Sequence, residues 1–157
     1  MKESLIPMTS RLRGFTLIEL MCVVSIIGLL SLAAYPSYRG VILKGKRAEA
    51  RAALMQAMQQ QERFFSRYNS YQAYTAGDAG VFIWHSAGTA AGSGYQISAA
   101  ACPGDLIRHC VLLSATPGGP QVDIRFRDEI CGTLTLNSLG ERSAAGLPAA
   151  SAPAACW

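Results

Sequence analysis

Hydrophobic and polar positions divide this chain into three stretches with different periods. The first is nearly unbroken. After Gly14-Phe15-Thr16-Leu17-Ile18-Glu19 come 19 uncharged residues, Leu20 to Tyr38. As a helix, Phe15–Tyr38 would reach about 36 Å, enough to cross a bilayer. Glu19 is the lone charge within it. Such a charge costs roughly 2.5–3.5 kcal/mol on insertion scales, so it calls for a partner. The second stretch, Arg39–Tyr68, keeps helical spacing, with Ala50, Leu54, Met58 and Phe65 near one face and Ala48, Ala52 and Met55 beside it. Gln56, Gln59, Gln60, Gln61 and Glu62 favour helix. One continuous helix from about Phe15 to Arg67 is expected, ended by Asn69-Ser70, with its amphipathic second half lying on a sheet. Gly28 weakens that helix, and Pro36 removes one backbone bond and kinks it. The third stretch alternates. Gly94–Ala99, Cys110–Ala115 and Cys131–Asn137 read as strands, and Val122–Arg127 as a fourth strand or an ordered loop. Turn signals separate them at Cys102-Pro103-Gly104-Asp105, Thr116–Pro120 and Asn137–Gly140. The expected fold class is α+β: a long N-terminal helix packed on a small antiparallel sheet.

Charge follows the same divisions. From Arg39 to Tyr68 seven Lys/Arg face two Glu, a balance of +5, whereas from Asn69 onward four Arg face six acids, a balance of −2. The helix is basic and the head is not, which weakens any general attraction of the head to nucleic acid. Of the 5 cysteines, Cys22 sits in the apolar run and is expected to act as a small buried hydrophobe. Cys102, Cys110, Cys131 and Cys156 form an even set without a C-x-x-C pair, which reads as two disulfides in an oxidising compartment rather than a metal site. His85–Ala101 and Ser143–Ala155 are low in complexity, and the second would be floppy unless tied down. No catalytic, metal or cofactor constellation is present. His85 and His109 read as solvated or packed side chains. Asp123, Asp128 and Glu129 lack the ordered spacing of a calcium loop. Phe82, Trp84 and Trp157 read as core or loop anchors.

The hexapeptide Gly14–Glu19, preceded by Lys2, Arg11 and Arg13, resembles the processing site of type IV pilins and their relatives. An ordinary signal peptide is cut after its apolar core; here the core follows the glycine. The resemblance implies cleavage between Gly14 and Phe15 by a prepilin peptidase, N-methylation of Phe15, and pairing of Glu19 with the Phe15 amine of a neighbouring subunit during assembly. It implies the type IV pilin fold and a division into a leader at 1–14, a membrane-spanning and polymerising half-helix at 15–38, an amphipathic half-helix at 39–68 and a globular head at 69–157. The stretch between Gly28 and Pro36 matches the segment that loses helical order in assembled filaments, with an ordinary proline kink as the alternative. Sequence alone permits three disulfide pairings. Cys131–Cys156, closing a C-terminal loop of the kind pilins display, with Cys102–Cys110, is the pairing expected.

Cys131–Gly140, the terminal Cys156-Trp157, and Gln59–Tyr71 are similar to minor type IV pilins grouped with the competence DNA receptor. The leading function is therefore a minor pilin, held in the bacterial inner membrane with its head in the periplasm and then built into, or at the tip of, a surface pilus serving biogenesis, twitching motility or adhesion. Its partners would be other pilins, the peptidase and the pilus assembly machinery. One alternative is a DNA-binding pilin for natural transformation, with Arg108, Arg125, Arg127 and Arg142 as candidate contacts. Another is a type II secretion pseudopilin, which the disulfide-closed loop disfavours.

Overall fold

The computed structural model describes residues 14–157, with side chains throughout except at 32–37. The expected leader therefore lies outside the described residues save for Gly14, as does the side chain of Pro36. The chain divides into two compact units, the second being Gly40–Trp157.

Helix α1 runs Leu17–Tyr68, within two residues of the expected span. It stays helical through Gly28–Pro36 in this isolated subunit. Its first turn carries a cap that the hydrophobic pattern alone did not suggest. Thr16 Oγ1 accepts the Glu19 N–H at 3.3 Å, and a Glu19 carboxylate oxygen accepts the Thr16 N–H and hydroxyl, each at 3.0 Å. This reciprocal box satisfies donors that a helix start leaves open. At the other end Asn69 takes the left-handed conformation, φ 52°, and donates its N–H to Phe65 O at 2.8 Å. That is the usual way to stop a helix, and Asn tolerates it better than most residues.

Five strands follow: β1 (Tyr95–Ala101), β2 (Val111–Pro117), β3 (Leu134–Asn137), β4 (Arg142–Ala144) and β5 (Leu147–Pro148). They form one antiparallel meander in chain order. Alternation puts Tyr95, Ile97, Ala99, Val111, Leu113, Ala115, Leu134 and Leu136 into a buried cluster shared with Ala50, Ala53, Leu54 and Ala57 of α1. The expected helix face is thus corrected by part of a turn. Ala48, Ala52 and Met55 are exposed, because the inward stripe runs 47, 50, 53/54, 57, 61. Polar Arg47 and Gln61 lie on that stripe, which disguised it.

Three segments departed from the hydrophobic pattern. Val122–Arg127 is the ordered loop of the two options: Phe126 N–H bonds Asp123 O at 3.1 Å, and the Arg127 guanidinium curls back onto the carbonyls of Ile124 and Phe126. Cys131–Thr133 does not join β3, because Gly132 sits at φ 52° and turns the chain there. Ser143–Ala155 contains β5 and all but the first residue of β4 and is held by a second tie, Trp157 Nε1–H donating to Ser143 O at 2.7 Å. The outer edge of β1 is covered by the loop after α1. Tyr74 exchanges two backbone bonds with Ala99, Trp84 O accepts from Ile97, and Ser86 donates to Tyr95 O. An otherwise open edge is thereby closed.

Candidate assembly and nucleic-acid surfaces

Every residue from Gly14 to Ser31 is exposed in the isolated subunit. Phe15 is 89% exposed, and Leu17, Ile18, Leu20, Val24, Leu29 and Leu30 are all above half. A continuous apolar surface of this kind marks a lipid or protein contact. Cys22, expected to be buried, is a free and exposed thiol here, like its neighbours on the same bare helix. Glu19 lies within this surface, and among the described residues its carboxylate is satisfied only by the Thr16 cap. Among the described residues no helix is long and apolar enough to cross a membrane. The expected span of 15–38 includes residues 32–37, whose side chains lie outside that description.

The head holds the opposite kind of acid. Asp128 is fully buried and receives Arg47 Nε–H at 2.6 Å, Arg47 Nη2–H at 2.7 Å and the Tyr95 hydroxyl at 2.6 Å. Its other donors are the backbone N–H groups of Ile130 and Cys131. Burial alone would raise its pKa; hydrogen bonds from Arg47, Tyr95 and the Cys131 backbone overcome that and hold it at about 2. Burial, then the bond to Asp128, pushes the Tyr95 phenol well above its ordinary range. The bond to Asp128 likewise raises Arg47. Asp128 is thus committed to this network rather than to a calcium loop with Asp123 and Glu129. The arrangement fixes the start of the helix's amphipathic half to the turn that carries Cys131. Sequence reading missed it because Arg47 looked like one more solvated helix cation. The available signal was its place on the Ala50–Leu54 stripe.

The disulfides are Cys102–Cys110 and Cys131–Cys156, the pairing expected. The first closes the β1–β2 loop. The second ties the residues before β3 to the C-terminus.

The four head arginines divide between the two ends of the sheet. Arg108 lies in the β1–β2 loop, whereas Arg125 and Arg127 lie in the loop at the far end of β2, about 20 Å away for a seven-residue strand. Arg142 begins β4, opposite Leu136, with its guanidinium 5.4 Å from the Trp157 ring centre. Arg108 Nε–H bonds His109 Nε2 at 3.1 Å, and His109 Nδ1 lies 3.1 Å from Asp105. Each arginine is exposed, Arg108 and Arg142 at one end of the sheet and Arg125 and Arg127 at the other. A different basic surface does form. Near the end of α1, Arg63 and Arg67 line an open groove together with Phe64, Tyr68, Val81 and Phe82.

Comparison with known proteins matches residues 36–135 to the family described as "Type IV minor pilin ComP, DNA uptake sequence receptor", and residues 9–35 to the prokaryotic N-terminal methylation motif. The chain is 42% identical over 64 residues to the "Type IV major pilin protein PilA" of Myxococcus xanthus (strain DK1622). That match covers 41% of this chain and 29% of the relative, so the chain spans less than a third of that protein's length. A solved type IV pilin from Shewanella oneidensis is 25% identical, with 73% of this chain and 96% of that one covered at a TM-score of 0.43. With the ComP family model matching well over half of its residues, directly after a methylation motif, this chain belongs to the type IV minor pilin family.

Proposed function

We propose that this protein is a non-enzymatic minor pilin. It is cut by a prepilin peptidase between Gly14 and Phe15, methylated at Phe15 and held in the inner membrane with its head in the periplasm. The pilus assembly machinery then builds it, through its N-terminal helix, into a type IV pilus with other pilins. The observation that carries this is a continuous exposed apolar surface from Phe15 onward, interrupted by one acid, inside a methylation-motif match. In the lone subunit Glu19 binds the Thr16 N–H and hydroxyl. On assembly it would exchange part of that cap for the ammonium of a neighbour's Phe15. Burying the two charges together is far cheaper than burying either alone. The extension of Gly28–Pro36 on packing belongs to the same proposal. The test compares wild type with Glu19→Ala in a piliated host. The variant is expected in the membrane fraction at normal level but lost from sheared fibres; normal incorporation would contradict the pairing.

A second reading, DNA capture during transformation, is supported by the description of the matched family as a DNA uptake sequence receptor. Salt-sensitive DNA binding by the head tests it, with Arg108, Arg125, Arg127 and Arg142 as the sequence-based candidates.

A further inference from the structure

Resting on the DNA-capture reading, we propose that the groove at the end of α1 is a contact site for nucleic acid with unstacked bases, a single strand or a frayed end. In it, Arg63 and Arg67 would meet phosphates and Tyr68 would stack on a base. Arg63 and Arg67 are one helical turn apart, so both guanidinium groups stand on one side of the groove. Among the described residues neither pairs with a carboxylate. The nearest acid in sequence, Glu62, is engaged by the Tyr71 hydroxyl at 2.9 Å. Arg63 spends only its Nε–H, on Gln59 O at 3.2 Å. The negative end of the helix dipole accounts for a cation at Arg67 in the last turn, but that effect fades within a turn and leaves Arg63 unexplained.

The groove floor is aromatic rather than aliphatic. Tyr68 is 65% exposed and lies 4.4 Å from Phe64, centre to centre; Phe64 meets Phe82 edge-on at 5.7 Å, and Phe82 stacks on Tyr74 at 5.1 Å. The outermost ring is therefore braced from beneath by rings that reach the core. Val81, 85% exposed, forms the opposite lip. A rigid ring beside two uncompensated guanidinium groups suits an alternation of base and phosphate. A duplex keeps its bases stacked and could use only the arginines. The site also lies about 40 Å along the helix from Gly40.

The test uses the full-length protein held in detergent, whose head carries the whole buried cluster and both disulfides. Binding of a labelled oligothymidylate and of a matched duplex is followed by anisotropy across a salt series. Wild type should prefer the single strand. Arg63→Gln with Arg67→Gln should lower the slope of log affinity against log salt by about 1.4, at roughly 0.7 per lost phosphate contact. Tyr68→Ala should weaken single-strand binding about tenfold and leave duplex binding nearly unchanged. Arg108→Gln with Arg125→Gln and Arg142→Gln should keep most of the affinity. Wild-type binding that survives the groove changes and is lost with the head set would overturn this site and leave DNA capture standing. Wild type that binds neither probe would overturn DNA capture and this site with it. Unchanged DNA binding with loss of the Arg63/Arg67 variant from fibres would assign the groove to subunit packing instead.

Discussion

Glu19 and Asp128 are acids in two regions that handle apolar surface in opposite ways. Between Gly14 and Ser31 every residue is exposed, and among the described residues the one acid is answered only from within its own first turn. In Gly40–Trp157 the inward stripe of α1 and the alternating strand positions bury one another, two disulfides close the loops, and the buried acid is answered from α1, from β1 and from its own loop. The head is complete as one chain. Gly14–Ser31 is a bare apolar helix surface of the kind that lipid or other subunits cover. Pilins need this separation, because the half that polymerises must be unsatisfied until a neighbour arrives.

The largest test of that contrast is to remove one region. A chain beginning at Gly40 is expected to fold, stay soluble and form both disulfides, yet be absent from fibres. Proteolysis and size exclusion check the first part, and sheared-fibre immunoblots the second. If it aggregates or melts without cooperativity, the head depends on the helix before it.

Within the head, breaking the buried pair should cost more than any surface change. Arg47→Ala or Asp128→Asn is expected to lower stability by about 3–5 kcal/mol, because each strands a buried polar partner. Denaturant unfolding of Gly40–Trp157 measures this, and a loss under 1 kcal/mol would mean the network is dispensable. Removing Cys131–Cys156 should cost about 3.5 kcal/mol and Cys102–Cys110 about 2.6 kcal/mol on chain-entropy grounds.

The same pair sets an acid limit. The Asp128 pKa falls from its ordinary 3.8 to about 2 in the folded head. Its contribution is therefore fully present above pH 4 and is lost as pH falls toward 2, about 2 kcal/mol in all. Asp128→Asn should flatten that part of the stability–pH curve. An unchanged curve would locate the acid sensitivity elsewhere.

The smallest effect separates the two roles of the N-terminal cap. Thr16→Ala should loosen the first turn by about 1 kcal/mol yet leave fibre incorporation largely intact. Loss as severe as that of Glu19→Ala would show that the cap, rather than the acid, is what assembly uses.

Much of this was legible because it obeys simple periods. The long apolar run, the Asn69 stop, the alternating Tyr95–Ala101 and Leu134–Asn137, and the motif around Gly14 all announce themselves locally. What was not legible depends on distant partners. Arg47 and Asp128 are 81 positions apart, and the one local sign of burial is Arg47's place on the Ala50–Leu54 stripe. β4 and β5 lie in a low-complexity tail whose order comes from Cys131 and from the Trp157 indole. The Arg63–Tyr68 groove gains its far lip from Val81, in the part of the chain with the weakest pattern. The head arginines divide into two sets because the meander puts the β1–β2 loop and the β3–β4 turn at one end of β2 and the Arg125–Arg127 loop at the other.

The most direct measurement is the intact mass of this subunit recovered from sheared surface fibres. The account predicts a chain that starts at Phe15, carries one added methyl group and retains both disulfides. A subunit that still carries Met1–Gly14, or one that never enters the fibre fraction, would contradict it.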